Sequence, residues 1–171
     1  KKVNYLSLIV DLVQNVNRLV MQEFDRLRLS EGIAAAIADN PGCDSVNIIL
    51  YNEKGEPEET ITRYNSSKSL YTNLSENIPH CCRKNKSDTT SPSVLNCSEC
   101  GKCKNHSSSS FCYMLEHDGF IYGKIFVLLS GDYKHDSEQL FLLKSISDEL
   151  AYALYNLNVE KTRKKAEEEI R

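Results

Sequence analysis

Three cysteines recur at i, i+3 and i+6 in Cys97-Ser-Glu-Cys100-Gly-Lys-Cys103-Lys-Asn-His106, and a histidine follows three residues later. Thiolate and imidazole at that spacing suit zinc, an iron–sulfur cluster or, less well, haem. Glycine, lysine, asparagine and the serines Ser107 to Ser110 surround them, and nothing apolar lies between Leu95 and Phe111. These thiols therefore do not read as core filler. The stretch is the candidate functional centre.

A closed metal site needs a fourth donor. Ile78-Pro-His-Cys-Cys-Arg83 reads as the first turn of a short helix, with Pro79 at the favoured first position. The positive end of a helix dipole favours thiolate there. Cys81, Cys97, Cys100 and Cys103 then supply four thiolates, and His80, His106 or Cys112 could replace one of them. Zinc and an iron–sulfur cluster fit this set equally by spacing, although the proline that often follows ferredoxin ligands is absent. The plain alternative is free thiols, or two that oxidise to a disulfide. Cys43, before a strand, reads as ordinary packing, and His117 and His135 as exposed turn and loop residues.

A length of 171 residues fits one domain with a real core, and 40% hydrophobic with 26% charged residues is a soluble globular composition. A net charge of −3 gives no general attraction to nucleic acid or anionic membranes. Apolar runs are shorter than a bilayer span and no signal peptide opens the chain, so a cytoplasmic protein without membrane insertion is expected. Seven cysteines leave at least one without an intramolecular disulfide partner. In a reducing cytosol, clustered cysteines point to metal or redox chemistry.

The elements that must position this loop can be read in order. Leu6, Ile9, Val13, Val16, Val20, Phe24 and Leu27 form a heptad-like stripe on an opening helix. It packs on its own domain or forms a dimer seam. A second helix is predicted from Ser30, as N-cap, through Ile37, ending at Asp39-Asn-Pro-Gly42. Ser45 to Tyr51 alternates as a strand, Asn52-Glu-Lys-Gly55 turns the chain, and Glu59 to Tyr64 returns it. Residues 65–77 read as loop. Pro92 to Asn96 is a short strand leading into the cysteines. Phe111 to Glu116 and Phe120 to Leu129 form a hairpin about His117-Asp118-Gly119, its second strand apolar enough to be central. A long helix runs from Asp136 to Arg171, with Leu143, Ile146, Leu150, Ala153 and Leu157 as its seam. From Glu160 onward it is too charged to pack on a core. The resulting division is a signalling helix at 1–28, a sensor domain at 29–158 and an exit helix at 159–171.

This element order resembles that of a GAF domain. Ile33-Ala-Ala-Ala-Ile-Ala38, Pro41-Gly-Cys-Asp-Ser-Val46, Leu115-Glu-His-Asp-Gly-Phe-Ile-Tyr-Gly123 and Asp148-Glu-Leu-Ala-Tyr-Ala-Leu154 are similar to a subgroup found in PAS- and GAF-containing sensor histidine kinases. Ile78-Pro-His-Cys81 and Cys97-x-x-Cys100 resemble the same subgroup, which pairs a helix cysteine with a CxxC in the following loop. The resemblance spans residues 5–171. It implies an α/β (α+β) GAF-like fold: a central antiparallel sheet, terminal helices on one face, the cysteine loop and short helix on the other. It further implies signal sensing in a two-component protein, a homodimer formed through the N- and C-terminal helices, and neighbouring PAS, GAF or kinase domains.

The chain carries no kinase catalytic motif, so this stretch is expected not to be an enzyme itself. It lacks a bilin-type Cys-His setting and a cyclic-nucleotide signature. Related archaeal kinases are associated with covalent haem, but here Cys100-Gly-Lys-Cys103 is followed by Lys104 where the attachment motif has histidine. Two further classes stay open: a GAF-fold methionine sulfoxide reductase with Cys81 as nucleophile, and a cofactor-free dimerisation module.

Overall fold

The computed structural model describes residues 2–65, 93–96, 109–129 and 137–171. Their order is α1 (Lys2–Gln22), α2 (Arg26–Ala38), β1 (Cys43–Tyr51), β2 (Pro57–Tyr64), β3 (Ser93–Asn96), β4 (Ser109–His117), β5 (Phe120–Leu129) and α3 (Ser137–Ile170). The strands form one antiparallel sheet in the order β2-β1-β5-β4-β3. β5 lies at its centre, as its apolar sequence requires. Together with the helices this is the expected mixed α/β architecture.

Local chemistry fixes the turns. Asp118 and Gly119 both take positive φ, 52° and 80°, in the two-residue turn between β4 and β5. Such a turn matches the right-handed twist of its strands. Gly123 answers a different need. A Cβ there would stand 2.1 Å from the Ile49 carbonyl oxygen, so only glycine lets β1 pair with β5 at that point.

The helical start differs from the sequence expectation. The stripe predicted to run unbroken to Leu27 is interrupted at residues 23–25, and α2 begins at Arg26 rather than near Ser30. Asp25 is the N-cap, its side chain accepting from the Arg28 N–H at 2.9 Å. An aspartate in extended conformation there satisfies one of the orphan donors of the first turn. Ser30 is instead a buried helix residue whose hydroxyl donates to the Arg26 carbonyl at 2.9 Å. Arg26 in turn donates to the Tyr51 carbonyl at 2.8 Å, tying the start of α2 to the end of β1.

All three helices among the described residues join the core on one face of the sheet: α2 lies against β1 and β2, α3 against β4 and β5, and α1 against α2 and α3. Val46, Ile48 and Leu50 of β1 are fully buried there, with Ile125, Val127 and Leu129 of β5. From α3, Leu143, Ile146, Leu150 and Ala153 meet them, with Leu157 partly buried beside them. Each of these Val, Leu and Ile side chains contributes roughly 1.5–3 kcal/mol by burial. The regular seam of α3 is therefore domain core. The stripe of α1 divides: Val16 is buried with Leu12, and Ile9, Val20 and Leu27 are partly buried, while Leu6, Val13 and Phe24 are exposed.

Candidate functional site

Successive residues of a strand point to opposite faces, so the residues alternating with that core define the other surface of the sheet. In register across it lie Thr62 of β2, Asn47 of β1, Phe126 of β5 and Cys112 of β4. The neighbouring row is Thr60, Ile49, Lys124 and Met114. Ser45, Asn47, Lys124, Phe126 and Cys112 are all buried, yet Phe126 and Cys112 stand apart from the helix-side core cluster. This far face is thus a covered surface with polar groups on it.

Its geometry can be followed residue by residue. The Thr62 hydroxyl donates to Asn47 Oδ1 at 2.8 Å, anchoring an amide in the middle of the floor. Lys124, only 4% exposed, holds its ammonium 5.7 Å from the centre of the Phe126 ring, within cation–π range. Burial, and secondly the neighbouring Cys112, push the Tyr51 phenol up, which keeps it a neutral donor. The Asn47 amide and the Cys112 thiol, in register on either side of Phe126, could meet a carbonyl-bearing group, and the thiol could also ligate a metal.

Cys112 is the member of the predicted ligand set that lies among the described residues, and the register puts it on this floor. His80, Cys81, Cys97, Cys100, Cys103 and His106 lie outside them. The attachment of the cysteine stretch is nonetheless defined, because Asn96 of β3 pairs with Ser109 of β4. Residues 97–108 therefore connect two antiparallel neighbours at the sheet edge, and Cys112 follows three residues after that closing pair. Among the described residues, no group of three His, Cys, Asp or Glu side chains is arranged to hold a metal ion.

Cys43 belongs elsewhere. It is fully buried on the helix side, where Gln139 Nε2 donates to its sulfur at 3.8 Å. Burial, followed by the charge of Asp44, pushes its thiol up to about 12, so it remains a protonated packing residue at neutral pH. A concavity of about 1250 Å³ lies at the hairpin end of the sheet, reaching Tyr51. It is an open cleft between the hairpin turns and the root of the exit helix, lined by Lys161, Lys164 and Lys165 together with Glu53, Glu160 and Glu168. Its breadth and mixed charge single out no ligand, and the enclosed far face is the better candidate.

Sequence reasoning missed Asn47, Thr62 and Lys124. The available signal was Lys124 itself, the lone charge inside Phe120 to Leu129. A lysine at the centre of a central strand must be accommodated by some feature of the face it points to.

No protein-family model matches the chain, and no curated protein matches it. Among solved structures, the phycoerythrobilin-bound GAF domain of a cyanobacterial phytochrome superposes with a TM-score of 0.60. That match is at 13% identity and covers 92% of this chain and 97% of that one. The chain has the GAF fold.

Proposed function

We propose that this chain is a sensory GAF module whose site lies on the far face of the sheet and takes in the cysteine-rich connection at 97–108. In this reading Cys81, Cys97, Cys100 and Cys103 hold zinc or an iron–sulfur cluster, with His80, His106 and Cys112 as the neighbouring donors. Bound there, the metal would tie the connection down, and a cluster would add a redox state to be sensed. The observation that carries the reading is the buried polar floor bearing Cys112, three residues along β4 from the pair that closes the cysteine connection. Ordering about ten residues costs on the order of 10 kcal/mol of backbone entropy, and metal–thiolate binding of roughly 10–16 kcal/mol can offset that.

The chain itself performs no catalysis in this reading. It works in the cytoplasm, and no described helix is long and apolar enough to cross a membrane. Its output passes along α3 to an adjoining kinase, PAS or GAF domain, and two copies associate through their terminal helices. The test is anaerobic purification with metal analysis and an absorption spectrum. Stoichiometric zinc, or iron with sulfide, is expected, and Cys97→Ser or Cys100→Ser should release it while the sheet stays folded. Absence of metal and haem, with all four thiols reacting rapidly under native conditions, would overturn it. Thioredoxin-dependent turnover of methionine sulfoxide would replace it with the reductase reading.

A second reading rests on the floor of the far face. A buried aromatic ring, Phe126, in register with the Asn47–Thr62 pair suits an organic ligand, and the phytochrome domain of the same fold is phycoerythrobilin-bound. Mass spectrometry of material released from the metal-free protein by denaturation decides between the two.

A further inference from the structure

Three large apolar side chains that the core leaves out gather around the open cleft at the hairpin end of the sheet. Phe24, between α1 and α2, is 80% exposed, and Phe120 and Ile121, at the start of β5, are 60% and 46% exposed. Apolar residues exposed singly need no explanation, whereas a group of them around one concavity marks a contact surface. Beside them the Tyr122 hydroxyl is buried without a well-formed hydrogen bond, the Asn158 side chain being its polar neighbour. A buried donor in that state is costly until an acceptor reaches it.

The opposite wall is α3. Leu154, Leu157, Lys161, Lys164 and Glu168 line the cleft at alternating intervals of three and four, so one side of the helix faces it for about four turns. Such a ridge is what a second helix packs along. The charges around the cleft are less balanced than their number suggests. Asp25 is taken up as the cap of α2, Glu160 by Arg163, and Arg26 by Glu58 and the Tyr51 carbonyl. Among the described residues, Lys54, Lys161, Lys164 and Lys165 then have no ion-pair partner, set against Glu53 and Glu168.

We infer that this cleft is a docking groove for an acidic amphipathic helix of a partner protein. The apolar side of that helix lies against Phe120, Ile121 and Leu157, and its carboxylates meet Lys161, Lys164 and Lys165. At about 1250 Å³ the groove is open and larger than the roughly 300–1,000 Å³ of small-molecule pockets, which suits a segment of protein. A second copy of this chain laid here in parallel register would set Lys161 against Lys161 and Lys164 against Lys164, and like charges disfavour that pairing. A membrane surface would touch the aromatic rim without entering the concavity. The groove owes nothing to the proposed metal ligands, so the two readings stand or fall separately.

The probe is a fluorescein-labelled synthetic peptide with leucine at alternating three- and four-residue intervals and glutamate elsewhere, beside a control with lysine for every glutamate. Fluorescence anisotropy with the intact chain should show the acidic peptide binding at least about tenfold more tightly than the control, and less tightly as salt rises. Amide NMR shifts should centre on Ile121, Leu157 and Lys161. Lys161→Gln with Lys164→Gln and Lys165→Gln should erase the preference, while circular dichroism shows α3 intact. Phe120→Ser with Ile121→Ser, both on the exposed turn, should weaken the acidic peptide about tenfold. Equal binding of the two peptides, a preference that survives the lysine variant, or shifts centred on the far face of the sheet would overturn the groove. Binding to phosphatidylserine vesicles that is lost in the Phe120 and Ile121 variant would overturn it in favour of a membrane surface. Self-association in sedimentation equilibrium that is altered by the lysine variant would overturn it in favour of a second copy.

Discussion

The two faces of this sheet come from the same strands and are put to different uses. On the helix side, Val46, Ile48, Leu50, Ile125, Val127 and Leu129 are apolar and fully buried. One residue along, on the far side, stand Ser45, Asn47, Lys124 and Cys112, also buried but carrying polar groups. The first face is interchangeable in chemistry and strict in volume. The second is strict in chemistry. A register slip of one residue would exchange them, so the turns and the close approach at Gly123 guard the site as much as the fold.

The largest effect is expected where the faces are held in register. Gly123→Ala forces a Cβ against the Ile49 carbonyl and should cost about 3 kcal/mol or more in urea unfolding, or abolish folding. A site tolerant of alanine would mean that β1 and β5 pair more loosely than described. Ile48→Ala, on the helix face, should cost about 2–5 kcal/mol through transfer and cavity terms. On the far face the loss should be smaller. Thr62→Val removes the donor to Asn47 Oδ1 and should cost about 1 kcal/mol. Similar losses from the last two variants would dissolve the contrast between the faces.

A pH titration sharpens the same contrast from the helix side. Cys43 is held protonated in the folded state up to about 12, against 9.0 for an unperturbed thiol. A raised pKa means that the folded state retains its proton while the unfolded state releases it. The associated stability is complete below pH 9 and is lost as the pH climbs from 9 towards 12. Cys43→Val should flatten that decline in denaturant midpoints measured between pH 8 and 11. At neutral pH, Cys43 should react with a thiol reagent only at the rate of unfolding. Rapid labelling of Cys43 would show that the helix face is open.

Where turn chemistry was explicit, the elements were legible: Asn52 to Gly55 and Asp118-Gly119 bounded four strands to within about two residues. The break between α1 and α2 was not, because Phe24 and Leu27 happen to continue the spacing of α1. Asp25 was a visible cap signal outweighed by that stripe. Periodicity also could not tell which stripe of α3 meets the core. Leu143 to Leu157 and Tyr152 to Ile170 both repeat every seven residues, and only packing separates the buried set from the exposed one. Of the candidate face, Cys112 was named from the sequence as a possible ligand, whereas Asn47 and Thr62 are ordinary strand residues until register brings them together.

The helix α3 is 34 residues long and contains neither proline nor glycine. At 1.5 Å per residue it is a rod of about 50 Å, and its last third extends beyond the packed core. Such a rod is a lever with its fulcrum near Leu157. A tilt of about 5° at the fulcrum moves Ile170 sideways by about 1.7 Å, comparable to the helix shifts that work protein switches. Nothing in the sheet need open or unfold for that displacement to arrive. Tyr113, whose hydroxyl donates to Asp148 at 2.6 Å, grips the lever on the core side of the fulcrum from β4, the strand that carries Cys112 on its opposite face. With the grip about 13 Å and Ile170 about 20 Å from that fulcrum, an adjustment of about 1.2 Å at the strand gives the displacement of about 1.7 Å at Ile170.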